Sequence, residues 1–439
     1  MAHSTTIYAL ASAAGKSGVA VFRISGHAAR EALVFLGIVD TPAPRVATLV
    51  TLQHNGAKID QGLALYFPAP HSFTGEEVVE LHTHGSRAVT RVLLDALSQC
   101  PGLRMAEPGE FARRAFANGK LDLAQAEGLA DLIDAETESQ HKQAMRQMGG
   151  GTTQRVEALR MAILEPLALM EAYIDFPDEE IPESVLRESS ERVTSLTRQI
   201  EALLDDGGIG EKIREGLDIV ILGPPNAGKS SLLNALAKRD AAIVSDEAGT
   251  TRDLIEVGIE IGGYAATLVD TAGIRDTTGS IEAEGIRRAL HRAEHADITL
   301  RLCDITTIAA AAKTIAAELN ENTFVIATKA DLAPLPALPF SAIAISTSTG
   351  AGIAELLAAL SELVAKRMDS VASPLITRAR HRAALKEALA CLSQFRPDAP
   401  LELTCEELRM AAQSIGKITG KIWVDDVLDL VFSRFCIGK

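Results

Sequence analysis

One octapeptide constrains this chain more than anything else in it. Gly223-Pro-Pro-Asn226-Ala227-Gly228-Lys229-Ser230 fits the spacing G-x-x-x-x-G-K-[ST]. It directly follows the apolar run Leu217–Leu222 and precedes a helical run, Ser231–Lys238. A short apolar run of that kind suits a buried parallel strand. Glycines let backbone N–H groups close around phosphate oxygens, and the N-terminus of the following helix adds positive potential. In this layout Lys229 reaches the terminal phosphates and the Ser230 hydroxyl ligates Mg²⁺. The middle of the chain is thereby committed to an α/β sheet that holds a nucleotide.

Four further segments fall in register with the first. Asp270-Thr271-Ala272-Gly273 follows a strand at Ala265–Val269, where Asp270 would hold Mg²⁺ through water and the Gly273 N–H would sense the γ-phosphate. Between them, Gly249-Thr250-Thr251-Arg252-Asp253 lies in a polar stretch, and Thr251 is placed to complete the Mg²⁺ shell. Such a segment orders around the γ-phosphate and relaxes after hydrolysis. Thr328-Lys329-Ala330-Asp331 ends a strand at Phe324–Ala327 and resembles the guanine-reading N-K-x-D, with Thr328 in place of Asn, a change that Rho-family GTPases tolerate. Asp331 would accept from guanine N1–H and N2–H, and Lys329 would stack under the base. Ser346-Thr347 follows a strand at Ala342–Ile345, where the fifth motif has Ser-Ala. The five segments resemble a translation-factor-class GTPase domain. Ile274 stands where Ras-like proteins carry the Gln that orients water, so that role must be filled from elsewhere.

The rest of the chain is too long to serve one sheet. At 439 residues it suggests two to four domains. Residues 5–100 alternate short apolar runs with turn signals and predict a mixed α/β domain: strands at Val19–Ile24, Gly62–Phe67 and Val78–His82, with helices at Ala28–Leu36 and Ala88–Leu97. From Leu121 to Leu204 the spacing is helical. Pro166 should bend or break the helix at 152–174, and Asp205–Gly210 predicts a hinge. Residues 378–432 are helical again. The predicted organisation is an N-terminal α/β domain at 1–120 and a helical domain in two pieces, 121–212 and 374–439. A GTPase domain at 213–373 is inserted between those pieces. Insertion strains little, because the ends of a compact domain often lie close together.

Charge is unevenly spread over this organisation. The formal net charge is −15, but residues 1–120 carry +2 and residues 121–212 carry −12. That argues against a chain that coats nucleic acid by neutralising phosphates. Five cysteines without a Cys-x-x-Cys pair fit a reducing cytosol. No run approaches the ~18 apolar residues of a membrane span, and the first residues lack the pattern of a signal peptide, so a cytoplasmic protein is expected.

Motifs outside the nucleotide segments narrow the reading. Gly-x-Pro-Asn-Ala-Gly-Lys-Ser-Ser231-Leu-Leu-Asn-Ala-Leu and Ala242-Ile-Val-Ser245-Asp246-Glu247-Ala248-Gly249-Thr250-Thr251-Arg-Asp are two of them. Ser72-Phe-Thr-Gly-Glu-Glu77, Pro108-Gly-Glu-Phe111, Lys120-Leu-Asp-Leu-Ala-Gln-Ala-Glu127, Asp175-Phe-Pro-Asp-Glu-Glu180 and the final Phe-Cys436-Ile-Gly-Lys439 are the others. Together they resemble the MnmE (TrmE) family of tRNA-modification GTPases, over essentially the whole chain.

The resemblance implies a K⁺-dependent GTPase. K⁺ would be held by Asn226 with oxygens of Ser245, Glu247 and Thr250, where an arginine finger would otherwise sit, and would support pairing of two GTPase domains in a homodimer. An apolar residue is common at position 247, but a ligand carbonyl does not depend on its side chain. Glu282 matches the family's water-positioning acid; by itself it reads as a solvated loop carboxylate. The first domain resembles the family's folate-binding domain, with contacts to a tetrahydrofolate derivative (5-formyl or 5,10-methylene) falling on Arg23, Glu80, Lys120 and Lys439. A carboxylate suits pterin donors, and Arg and Lys suit the glutamate tail.

Cys436 reads either as a nucleophile with a lowered pKa beside Lys439 or as a half-buried small hydrophobe. His82 and His84 share a strand face with no third metal ligand evident, which favours a structural or folate-pocket role. The family acts with an FAD-binding partner, MnmG (GidA), on the wobble uridine of certain tRNAs. The partner, not this chain, carries the FAD. The alternative is a ribosome-assembly or signalling switch GTPase of the Era-like group, which predicts no folate binding and no need for the Cys436–Lys439 tail.

Overall fold

The computed structural model describes residues 5–175, 183–237, 255–270, 296–371, 373–396, 399–421, 431–432, 435 and 438. The chain divides into two compact units. One comprises Met1–Ala130, Gln147–Met161 and Ala412–Lys439; the other comprises Asp131–Arg146 and Ala162–Ala411.

The first unit is built on a six-stranded sheet. Its strands are β1 (Thr6–Leu10), β2 (Ser17–Ser25), β3 (Thr48–His54), β4 (Ala57–Phe67), β5 (Val78–Gly85) and β6 (Leu103–Met105), in the order β3-β4-β5-β2-β1-β6. All pairs are antiparallel except β1 with β6. Period-2 alternation separates the two faces. Phe22, Ile24, Ala64, Tyr66, Val79 and Leu81 share a core with Leu33 and Leu36, and with Leu93 and Leu97 of the helix Arg87–Ser98. The opposite face carries Arg23, Phe67, Val78 and Glu80. There Ile7 and Ala9 pack with Phe111, from the helix Glu110–Ala117, and with Phe73.

Arg114, fully buried, ties this helix to the sheet. Its guanidinium donates to Glu76 Oε2 at 3.0 Å, to Glu110 Oε1 at 2.9 Å and to the Thr5 carbonyl at 2.9 Å. A buried cation needs carboxylate partners of this kind, because leaving it unpaired is strongly destabilising.

The second unit holds another six-stranded sheet. Its strands are β7 (Leu217–Leu222), β8 (Ile255–Ile261), β9 (Tyr264–Asp270), β10 (Ile298–Asp304), β11 (Thr323–Thr328) and β12 (Ala342–Ala344), in the order β12-β11-β10-β7-β9-β8. Every pair is parallel except the β8–β9 hairpin, which turns at Gly262-Gly263. Helices Lys229–Ala237 and Ile353–Met368 contribute Leu232, Leu233, Leu236, Leu356, Leu360 and Val364 to its core. The result is a mostly parallel sheet with one antiparallel hairpin strand, in keeping with the α/β sheet expected around the Gly223–Ser230 loop.

The structure bears on two expectations for the helical segments. The helix Gly151–Asp175 runs through Pro166 without a break. Pro166 is buried, in line with Ile163, Leu167 and Met170. Burying such side chains stabilises by about 1.5–3 kcal/mol each, enough to offset the roughly 3 kcal/mol lost to an internal proline. The expected hinge is a clamped turn. After it comes the helix Ile209–Glu215. Arg382 bridges Asp206 and Glu211, both at 2.8 Å, and donates to the Leu204 carbonyl at 2.9 Å. Gly210 is buried in that helix because the Ile376 carbonyl lies only 2.1 Å from where its Cβ would stand.

Candidate functional site

In an open parallel sheet, ligands bind beyond the carboxyl ends of the strands. Four neighbouring strands of the second sheet bring polar residues to that edge. Gly223 follows β7, Asp270 ends β9, Asp304 ends β10, and Thr328 ends β11. Register places Ile221 opposite Asp270 and Asp304 opposite Thr328.

The loop after β7 is folded on itself. Asn226 takes a left-handed φ of 62° and Gly228 one of 90°. Ala227 is buried and donates its N–H to the Pro224 carbonyl at 3.2 Å. Lys229 and Ser230 open the helix Lys229–Ala237. Buried Lys229 turns its ammonium back across the loop, donating to the carbonyls of Gly223 at 2.8 Å and Pro224 at 3.1 Å. The Ser230 hydroxyl donates to Asp270 Oδ2 at 2.7 Å. Two hard oxygen donors from separate motifs thus meet beside a helix N-terminus, a donor set that fits Mg²⁺. Ser231 is exposed on the same turn.

A second cluster forms where β10, β11 and β12 end. The Thr328 hydroxyl is buried and donates to the Cys303 carbonyl at 3.2 Å, so this residue braces the strand ends. Lys329 takes a left-handed φ of 60°, and its ammonium lies 2.6 Å from Asp304 Oδ2. That ammonium, with help from Thr306, holds the Asp304 carboxyl at about 2. Ser346 donates to Asp331 Oδ1 at 2.5 Å and lowers its pKa, keeping this exposed carboxylate ionised and aimed. The sequence reading missed Asp304; its signal was an acid closing an apolar strand next to the Thr328-Lys329 strand.

The first unit has its own cavity of about 350 Å³, lined by Arg45, Phe67, His71, Phe73, Glu80 and Lys120 among others. Arg23 and Glu80 are directly opposite across β2 and β5 and form an ion pair at 2.9 Å. The Arg23 guanidinium also lies over the Phe73 ring, 5.2 Å from its centroid. Lys120 donates to the Pro70 carbonyl at 3.1 Å. Two residues named for folate, Glu80 and Lys120, therefore share one cavity, with Arg23 paired to Glu80. The sequence reading missed Arg45, Phe67, His71 and Phe73 as lining residues. His82 and His84 take separate partners: His82 Nε2 is 3.6 Å from Glu80, and His84 Nδ1 is 2.9 Å from Asp60.

Ser245, Asp246, Glu247, Ala248, Gly249, Thr250, Thr251, Thr271, Ala272, Gly273, Glu282, Cys436 and Lys439 lie outside the described residues. Among those described, no helix is long and apolar enough to cross a membrane.

Comparison with known proteins covers both units. A family model described as the MnmE helical domain matches residues 123–436, and one described as the GTP-binding protein TrmE N-terminus matches residues 6–120. The chain is 49% identical over 441 residues to the tRNA modification GTPase MnmE of Paramagnetospirillum magneticum, covering 99% of this chain and 100% of that one. It is 51% identical over 446 residues to the tRNA modification GTPase MnmE of Parvibaculum lavamentivorans, again covering 99% and 100%. Among solved structures, the G domain of the T. maritima FeoB iron transporter is 24% identical, with a TM-score of 0.26, over 34% of this chain and 98% of that chain.

Proposed function

This chain belongs to the MnmE family of tRNA-modification GTPases, and we propose that it couples GTP hydrolysis to folate-dependent modification of the tRNA wobble uridine at C5. The observation that most supports a working GTPase centre is the Ser230–Asp270 hydrogen bond of 2.7 Å, which joins the phosphate loop to the end of β9.

The residues divide the work by chemistry. Loop N–H groups from Asn226 to Ser231 and the Lys229 ammonium bind the phosphates. Ser230, Asp270 and Thr251 would hold Mg²⁺, while Asn226 with Ser245, Glu247 and Thr250 would hold K⁺. When bound, these cations supply positive charge against the triphosphate. Asp331 and Lys329 select guanine. Ser245 through Thr251, with Thr271, Ala272 and Gly273, surround the γ-phosphate, and the Glu282 carboxylate positions the attacking water. Glu282→Ala should slow GTP hydrolysis at least tenfold while leaving GTP affinity within about twofold, as measured by single-turnover assay and equilibrium binding. Full activity would remove Glu282 from that role.

The first unit would bind the folate. Glu80, held by Arg23, accepts from ring donors, Phe67 and Phe73 offer flat apolar contact, and Lys120 and Lys439 would serve its anionic parts. Glu80 and two aromatic rings in one cavity suit a ligand with a polar ring edge. When bound, a reduced folate supplies the one-carbon unit. Cys436 is a candidate for the chemistry at the tail. We further propose a cytoplasmic homodimer acting with MnmG, which carries FAD. The domains are proposed as 1–120, 121–212 with 374–439, and 213–373.

The test is reconstitution of the purified chain with MnmG, tRNA, GTP, a reduced folate and glycine, reading modified uridine by mass spectrometry. Product that requires GTP and is lost with Ser230→Ala supports the reading. Undiminished product without GTP, or with a chain cut before Cys436, counts against the GTPase coupling or the role of the tail respectively.

A further inference from the structure

Arg45 and Lys120 converge on the same turn of the first unit's cavity. Arg45 donates from Nη2 to the His71 carbonyl, and Lys120 donates from Nζ to the adjacent Pro70 carbonyl. Both residues line the cavity, and neither has a carboxylate partner among the described residues. Two cations drawn to consecutive carbonyls repel one another, so the arrangement suits an anion between or beside them. In a chain of net charge −15, two cavity cations without a carboxylate partner among the described residues are the unusual feature, the cavity's own Glu80 being already paired with Arg23.

Arg45 is held more firmly than an exposed arginine need be. Its backbone N–H donates to the Tyr66 carbonyl at 2.8 Å, its neighbour Pro44 bridges to Tyr66, and its φ is a left-handed 63°. Its guanidinium lies over the Phe67 ring, 5.5 Å from the centroid. The Nε and Nη1 groups have no protein partner among the described residues. A guanidinium so pinned presents a fork suited to a carboxylate, which a flexible lysine matches less well.

We infer that Arg45 reads a carboxylate of the ligand's glutamate tail and thereby makes the cavity selective for folates over tail-less pterins. The inference rests on the folate reading above and deepens it. A glutamate tail carries two carboxylates, and Lys120 and Arg45 supply two cations. Glu80, already paired with Arg23, faces the ring end by its chemistry.

The experiment is equilibrium binding to the full chain of 5-formyltetrahydrofolate and of 5-formyltetrahydropteroate, which keeps the ring and lacks the glutamate. The wild type should bind the folate more tightly. Arg45→Gln should weaken folate binding by about ten- to a hundredfold and leave pteroate binding unchanged, and Arg45→Lys should recover part of the loss. Unchanged GTP turnover in Arg45→Gln serves as the folding control. If the wild type binds the folate and Arg45→Gln binds it equally well, the inference fails and the folate reading stands. Equal wild-type affinity for the two ligands, or equal loss of both in the variant, also overturns the inference. No folate binding by the wild type overturns both.

Discussion

The state of the Asp331 carboxylate depends on one neighbour. The Ser346 hydroxyl occupies one carboxylate oxygen and depresses the pKa, so the group stays an ionised acceptor at neutral pH. Asp331→Asn replaces an acceptor with a donor, and XTP presents the complementary change. Preference should shift from GTP toward XTP by at least about tenfold in competitive binding, and unchanged GTP affinity would remove Asp331 from base recognition. Glu110 shows the same dependence on partners in the first unit. Burial alone would raise its pKa, but hydrogen bonds from Arg104, the Glu107 N–H and Arg114 overcome this and lower it from 4.5 to about 2. A depressed carboxylate contributes stability above its unfolded pKa and loses it as pH falls through the folded one. The first unit should therefore lose about 2–3 kcal/mol from this group between about pH 4.5 and pH 2. Urea unfolding across that window checks it: Glu110→Gln should flatten the pH dependence, and an identical slope would contradict the assignment.

At the scale of elements, legibility followed locality. The Gly223–Ser230 loop was readable because its job demands particular residues at fixed spacing between a strand and a helix. β7, β9 and β11 were readable because short apolar runs ended at chemical motifs. The unbroken helix at Pro166 and the clamped 205–210 turn were not legible because distant contacts overrule local preference. Ile163, Leu167 and Met170 bury the helix around the proline, and Arg382, far along the chain, clamps the turn. Gly210 looked like a flexible residue and is a packing residue. Gly210→Ala would bring a methyl to 2.1 Å from the Ile376 carbonyl, so the helix or the facing chain must shift. A loss of about 1–3 kcal/mol is expected from overpacking of this kind, read as a lowered thermal midpoint. A midpoint equal to the wild type would show that the contact yields freely.

For the whole molecule, the GTPase half of the function was legible and the first unit's cavity was only partly so. The described nucleotide-motif residues Gly223, Asp270 and Thr328 lie at the strand ends of one sheet. The cavity instead gathers residues 45, 67, 71, 73, 80 and 120, of which only Phe67 and Glu80 lie on strands, so no single element marks them together. Nothing local marks Arg45 in Thr41-Pro-Ala-Pro-Arg45 as different from a surface charge. The net charge also gained meaning: residues 121–212 carry −12, whereas Arg45 and Lys120, without a carboxylate partner among the described residues, belong to the near-neutral first segment. The chain carries Ile274 where Ras-like proteins have a glutamine, and the proposed function has a bound monovalent cation supply the missing rate. The most direct measurement is GTP turnover by the purified chain in K⁺ and in Na⁺ at equal ionic strength. The account predicts turnover at least about tenfold faster in K⁺. Equal rates in the two salts would contradict it.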